Sequence, residues 1–294
     1  MPVLTAAATR SVKPTNQDAC MATSDGIVVA DGIGSFYQAE VAAQLVTQEM
    51  TKQLDKLLHN ASAEDYTLAF RKVQIALGQS EAARKIVVPD SHPATDVLGT
   101  TLLCAKAEGN RLTVAYVGNG AVLHLRGGFN EFPANVLLPW NALNYLNPHT
   151  IAHDGRNMLV RFISPHSNEA QIQPTVLQLQ QDVTDTGDIL ILCTDGIHSN
   201  DQVPVGRDEE GNLWISGEQA LKRLYKALGT YLLEAEPTSE GLQRLLEHYL
   251  EELEQAQMIS DDCTVAVLIT NQALKHFQRL RTTLYAAPTA YAAD

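Results

Sequence analysis

Two short segments of this chain are built alike, Val28-Val29-Ala30-Asp31-Gly32-Ile33 and Leu192-Cys193-Thr194-Asp195-Gly196-Ile197. Each closes an apolar run with an aspartate and follows it with glycine, the pattern of a buried strand that delivers a carboxylate to a turn. A third acidic pair, Asp261-Asp262, stands just before the apolar run 264–270. In an antiparallel sheet the start of one strand lies beside the end of its neighbour, so Asp31, Asp195 and Asp261 can converge on one rim of a sheet. Bare carboxylates that close repel by roughly 4 kcal/mol per pair at an effective dielectric of about 20. A divalent cation removes that cost, and oxygen-only ligands suit Mg²⁺ or Mn²⁺ held with several waters. Two such ions sharing one carboxylate can bind a hydroxide nucleophile between them. The alternative, for each site taken singly, is an Asp-Gly turn or a solvated acidic pair.

Competing chemistries fit less well. Gly32-Ile33-Gly34 follows a strand and precedes a helix, but the third glycine of a dinucleotide fingerprint would fall on Tyr37, and Asp31 stands where a phosphate should approach. The four cysteines, at 20, 104, 193 and 263, lie too far apart for zinc-ligand spacing. None is followed six residues later by arginine, which excludes a cysteine-based phosphatase. Cys104, Cys193 and Cys263 sit in or beside apolar runs and read as small buried hydrophobes.

The acids need elements to hold them. Apolar run 26–30 reads as a strand, followed by a helix with Ala42, Val46, Met50, Leu54 and Leu58 at i+4 spacing. Ser62-x-x-Asp65 resembles a capping start for a second helix carrying Tyr66, Ala69, Phe70, Val73 and Leu77. Runs 100–107, 112–117 and 121–125 follow with links too short for anything but antiparallel pairing. Residues 128–186 hold five prolines and read as a loop-rich insertion, with a flap-like part over about 128–172. Run 188–194 is another buried strand. Ser216-x-x-Gln219 opens a third helix with Leu221, Leu224, Tyr225, Leu228 and Leu232, and a fourth carries Leu242, Leu245, Leu246, Tyr249 and Leu253. A last strand covers 264–270, and residues 272–294 read as a tail, basic at first and Ala-rich at its end. Helices in pairs and strands in hairpins point to an α+β class rather than a doubly wound parallel sheet.

Composition narrows the setting. Of 294 residues 45% are hydrophobic, enough for a substantial core and too many for a largely disordered chain. The formal charge of -13 argues against nucleic-acid backbones and anionic membranes as partners. The N-terminal sequence offers no stretch apolar enough for a signal peptide, and no run approaches the ~18–20 apolar residues of a membrane helix. A soluble, cytoplasmic monomer is the expectation.

Taken in order, Lys13-x-x-Asn16-Gln17-Asp18, Val29-Ala30-Asp31-Gly32-Ile33-Gly34, Gly99-Thr100-Thr101, Val117-Gly118-Asn119-Gly120, Leu192-Cys193-Thr194-Asp195-Gly196 and Asp261-Asp262-Cys263-Thr264-Val265 resemble the metal-dependent Ser/Thr phosphatases of the 2C class. His153-Asp154-Gly155-Arg156-Asn157-Met158-Leu159-Val160-Arg161 is similar to a segment of bacterial members just downstream of their flap. The likeness spans roughly residues 9–270 and leaves 1–271 as the catalytic domain. It implies a four-layer αββα sandwich of two mainly antiparallel sheets, with two Mn²⁺ or Mg²⁺ ions in a cleft at one end. It assigns Asp31 as the carboxylate bridging both ions, the Gly32 carbonyl to the second, Asp195 and Asp261 to the first, and Asp18 to metal waters or the metal itself. It implies direct in-line attack of a bridging hydroxide on phospho-Ser or phospho-Thr of a protein substrate.

The chain departs from that pattern in places. Lys13 stands where the family usually has a phosphate-gripping Arg and supplies charge without a bidentate fork; an exposed lysine is the plain alternative. Asn119 replaces an aspartate that helps hold a third ion in some members, which removes a charge from any such site. Asp262 replaces a common Asn, and Ile33 a frequent His. His153 and His198 remain as proton donors or as surface histidines, and Trp140 and Tyr145 as peptide contacts or loop anchors. A catalytically weak, phosphatase-like regulatory protein is the second reading, and a nucleotide-binding module the third.

Overall fold

In a computed structural model of the chain, the apolar runs form the inner strands of two sheets stacked face to face. The structure describes residues 3–58, 60–126, 142–153, 156–198, 204–207, 213–215 and 218–286. The chain opens with β1 (Leu4–Arg10), β2 (Asp18–Ala22) and β3 (Gly26–Asp31), then helices α1 (Ala39–Lys56), α2 (Ala63–Gln79) and the short α3 (Glu81–Lys85). Strands β4 (Leu102–Glu108), β5 (Arg111–Val117), β6 (Ala121–Arg126), β7 (Ala142–Asn144), β8 (Thr150–His153), β9 (Arg156–Leu159), β10 (Thr175–Gln180) and β11 (Asp188–Cys193) follow. After the small strands β12 (Pro204–Arg207) and β13 (Leu213–Ile215) come α4 (Glu218–Glu234), α5 (Ser239–Gln255), β14 (Cys263–Ile269) and α6 (Asn271–Ala286).

One sheet has the order β10-β5-β4-β3-β2 and the other β1-β14-β11-β6-β7, with antiparallel neighbours throughout. Period-2 alternation explains why the inner strands read as unbroken apolar runs. Leu190 and Leu192 of β11 point into the space between the sheets beside Val29, Val114 and Leu268, whereas Ile189, Ile191 and Cys193 face the helix layer. On the other outer face, Val46, Met50, Phe70 and Val73 of α1 and α2 cover Val28, Ala30 and Cys104. The layers are therefore αββα, in an α+β fold, as the motif order implies.

Local signals account for the helix starts. Ser62 Oγ accepts from the Asp65 amide at 3.3 Å, and Asp65 Oδ2 accepts from the Ser62 amide at 2.8 Å, so aspartate completes the capping box. Helix α1 ends at Lys56, leaving Leu58 outside its buried ladder and 82% exposed. Ser216 and Trp140 lie outside the described residues. Among the described residues, no helix is long and apolar enough to cross a membrane.

Two expectations, the loop-rich stretch and the tail, need correction, and β1 is an element for which the sequence offers no expectation. Within the stretch read as loop-rich, Thr175–Gln180 forms β10 and pairs with β5 from Thr175↔Tyr116 to Gln180↔Arg111. Its Leu177 and Leu179 pack against the core between the sheets. The N-terminal residues form β1, whose alanines are poor strand formers but are paired along β14 from Leu4↔Ile269 to Arg10↔Cys263. The segment read as a tail folds as α6 over residues 271–286, because Ala273 and Phe277 share a helix face and are buried against the α4–α5 core.

Candidate active site

Strand register brings the acids together. Asp31 ends β3, Asp18 opens β2, and the two stand directly opposite each other in the β2–β3 ladder. Asp195 follows β11 and Asp261 precedes β14, neighbouring strands of the other sheet whose register runs to Cys193↔Val265. The expected single rim is thus a rim shared by two sheets: Asp18 and Asp31 come from one, Asp195 and Asp261 from the other. Thr194 ties them, its Oγ1 accepting the Thr264 amide at 3.0 Å and donating to Asp18 Oδ2 at 2.8 Å. Asp262, only 4% exposed, makes a second tie, accepting from the Ser11 hydroxyl and, at 2.8 Å, from the Gln17 amide.

The resulting cleft holds a cavity of about 550 Å³ lined by Asp31, Gly32, Asp195, Asp261, Lys13 and Asn119 among others. Gly32 admits no side chain, since a Cβ there would lie 2.7 Å from the carbonyl oxygens of Ala39 and Gln17. Asn119 sits between Gly118 and Gly120, both at positive φ, and its Nδ2 donates to Asp195 Oδ2 at 2.8 Å. Lys13 Nζ is ion-paired with Asp261 Oδ1, and that bond holds its ammonium above the ordinary lysine range. The loop bearing Lys13 is pinned by Ser11, whose Oγ accepts the Lys13 amide at 3.0 Å.

Electrostatics in the cleft run against bare acids. Asp31 keeps some exposure into the cleft but is closely surrounded by protein; burial first, then the charges of Asp18 and Asp195, push its carboxyl well above the usual range. Burial pushes Asp18 up to about 7, against the lowering effect of Thr194 and Thr264 and with Asp262 and Asp195 adding to the rise. The second oxygen of Asp18, Oδ1, is buried without a hydrogen-bond partner. An acceptor-only oxygen left so, beside two more carboxylates, is the donor set a hard divalent cation takes. Among the described residues no three Asp, Glu, His or Cys side chains form a ready-made cage.

Of the remaining sequence candidates, His198 is buried rather than at the surface, and neither it nor His153 lines the cavity. Tyr145 anchors its segment, its hydroxyl lying 3.4 Å from His124 Nδ1. Thr194, the Asn119–Asp195 bond and the Ser11–Asp262–Gln17 clamp went unnoticed in the sequence, since partners up to 251 residues apart leave no local signal. His149 went unnoticed for the same reason; its Nδ1 accepts the Gly118 amide at 3.2 Å.

A four-layer αββα sandwich with converging strand-end aspartates defines a class, and the sequence agrees with it. Residues 7–251 match the family model for protein phosphatase 2C, and the chain belongs to that family. The serine/threonine protein phosphatase PstP of Mycobacterium tuberculosis is 24% identical over 192 residues, 63% of this chain and 34% of the relative. The chain thus spans about a third of the length of the curated relatives it matches. The M. tuberculosis PstP/Ppp crystal structure superposes with a TM-score of 0.57 at 21% identity, over 92% of this chain and 99% of that one. The PstP catalytic domain in complex with two manganese ions gives 0.55 at 22%, over 91% and 98%. PppA, a regulatory component of the type VI secretion system in Pseudomonas aeruginosa, gives 0.55 at 18%, over 92% and 99%. At these identities the likeness to the solved structures is one of fold.

Proposed function

We propose that this chain is a divalent-metal-dependent phosphoprotein phosphatase that hydrolyses phospho-Ser and phospho-Thr monoesters. The observation that carries the reading is the crowding of Asp18, Asp31 and Asp195, with the buried Asp18 Oδ1 left without a donor. Asp31, Asp195, Asp261 and the Gly32 carbonyl would hold two ions, Mn²⁺ or Mg²⁺, with Asp18 reaching them directly or through water. The manganese complex of PstP lends support to that number. Bound there, divalent ions supply Lewis acidity toward phosphoryl oxygens and lower the pKa of water.

The protein's own groups do the positioning. Thr194 fixes Asp18, Asn119 fixes Asp195, and the Asp262 clamp holds the Lys13 loop against the start of β14. Lys13 lines the same cavity and puts a cation within reach of a phosphate; its single point charge orients less strictly than an arginine fork. The test is calorimetric titration of the protein with Mn²⁺ alongside hydrolysis of p-nitrophenyl phosphate. Saturable binding with chelator-sensitive turnover supports the reading; turnover that persists in chelator counts against it.

A further inference from the structure

His149 does not line the cavity, yet it holds the turn from which Asn119 reaches Asp195. That turn, Gly118-Asn119-Gly120, carries the chain from β5 in one sheet to β6 in the other. Gly118 and Gly120 have φ of 111° and 103°. Neither has room for a side chain: a Cβ at Gly118 would meet Thr101 Cγ2 at 2.5 Å, and one at Gly120 the Cys193 carbonyl oxygen at 2.4 Å. Two glycines suit so tight a crossing, but they leave the backbone with many conformations unless another group fixes it.

One residue binds both polar backbone groups of Gly118. The His149 amide donates to the Gly118 carbonyl at 2.9 Å, and ring Nδ1 accepts the Gly118 amide at 3.2 Å. With Nδ1 the acceptor, the neutral ring carries its proton on Nε2, which donates to Thr175 Oγ1 at 2.9 Å. Burial first, then the charge of Arg161, whose Nη1 lies 3.5 Å from Nε2, pushes the imidazole down to about 4. The ring therefore stays neutral at neutral pH, and Nδ1 stays an acceptor. It also stacks on Tyr116 at 5.1 Å, and the Tyr116 hydroxyl accepts the Asn147 amide at 3.0 Å. Tyr116 and Thr175 are register partners on β5 and β10, so the ring rests on paired strands.

These contacts end at the acids. The turn sets where the Asn119 side chain starts, and its Nδ2 donates to Asp195 Oδ2 at 2.8 Å. Groups behind a metal ligand tune affinity by holding the ligand's orientation. Any aromatic ring at position 149 is enough for the stacking; an acceptor aimed at the amide beside Asn119 is a separate feature. We infer that His149 is a positioning residue for the metal site: its amide and Nδ1 fix the turn at Gly118, and through Asn119 they hold the Asp195 carboxylate in place. The inference rests on the phosphatase reading above, in which Asp195 binds metal.

Three substitutions separate the acceptor from the ring. H149N puts an amide oxygen near the place of Nδ1, H149Q puts one near the place of Nε2, and H149F keeps the stack without any acceptor. Calorimetric titration with Mn²⁺ should leave H149N within about threefold of the parent Kd. H149Q and H149F should bind about tenfold more weakly, the lower end of the loss when a group behind a ligand is removed. In an N119A background, where the link to Asp195 is already cut, H149F should add less than about twofold. In ¹⁵N spectra of the parent, the His149 proton should sit on Nε2. A Kd in H149Q or H149F equal to the parent's, an H149N as weak as H149F, an H149F effect undiminished in N119A, or a proton on Nδ1 overturns the inference. Should H149F fail to fold, the pair H149N and H149Q, both polar amides, decides. A parent that binds no Mn²⁺ overturns the metal reading itself, and the role of His149 with it.

Discussion

Asp18 stands directly opposite Asp31 in the β2–β3 ladder, two carboxylates sharing one cross-strand position. Like charges so placed weaken a sheet, and burial makes ionisation costlier still. The pair is a local liability to the fold, one that the proposed divalent site would relieve.

That liability has a pH signature. Asp18 is held up to about 7 in the folded protein, mainly by burial, against ~3.9 for an unfolded aspartate. Between those values the folded state binds the proton more tightly, so stability falls as pH rises through the window when divalent ions are absent. The full loss is at most about 4 kcal/mol. Asp31 shifts the same way, again chiefly through burial. Thermal unfolding in chelator should show a midpoint contribution from Asp18 that is lost between about pH 4 and pH 7, a loss that D18N flattens and Mn²⁺ reverses. A midpoint that rises with pH over this range in chelator contradicts it.

Asn119 gives Asp195 its neutral donor at 2.8 Å. N119D replaces that bond with a second carboxylate and should destabilise the chelated protein by about 2–3 kcal/mol. The same change should enlarge the rise in unfolding temperature on adding Mn²⁺. Differential scanning calorimetry with and without the ion reads both effects; an unchanged Mn²⁺ response in N119D speaks against Asp195 as a ligand.

Asp262 accepts from Ser11 and Gln17 and binds the Lys13 loop to β14. D262A leaves two half-buried donors unmatched and should cost about 2 kcal/mol, whereas D262N keeps one acceptor and should cost about half as much. Urea denaturation separates the two, and equal losses would mean that only one of the two bonds matters.

Helix α6 closes the α4–α5 core through Phe277, which is 1% exposed. F277A should cost about 3–5 kcal/mol, and L58A, at a side chain 82% exposed, about 0.5 or less. Denaturant midpoints in the two variants check whether residues 271–286 belong to the cooperative unit.

Legibility in the sequence followed burial and locality. Runs 189–193 and 264–269 were plain because both faces of β11 and β14 are covered, which makes every residue apolar. β1 was hidden because Ala6-Ala7-Ala8 carries little strand propensity and owes its form to β14, more than 250 residues away. Likewise, Phe277 reads as helical core only once α4 and α5 supply the surface it covers. In the site, Asp31, Asp195 and Asp261 were legible because a strand end fixes where each carboxylate goes. That they lie on two sheets was not, since adjacency within a sheet is local and stacking between sheets is not. Thr194 and His149 act through partners on distant strands and left no pattern to read.

The central claim is that Asp31 holds divalent ions needed for phosphate-monoester hydrolysis. The direct measurement is phosphate released from a phosphothreonine peptide as Mn²⁺ is titrated, with the parent protein and D31N compared at equal folded concentration. The account predicts saturable activation of the parent, its loss in chelator, and a drop of at least ~10³-fold in D31N, the scale of removing a group that acts in the transition state. Release of phosphate in chelator, or D31N activity within about tenfold of the parent, would contradict it.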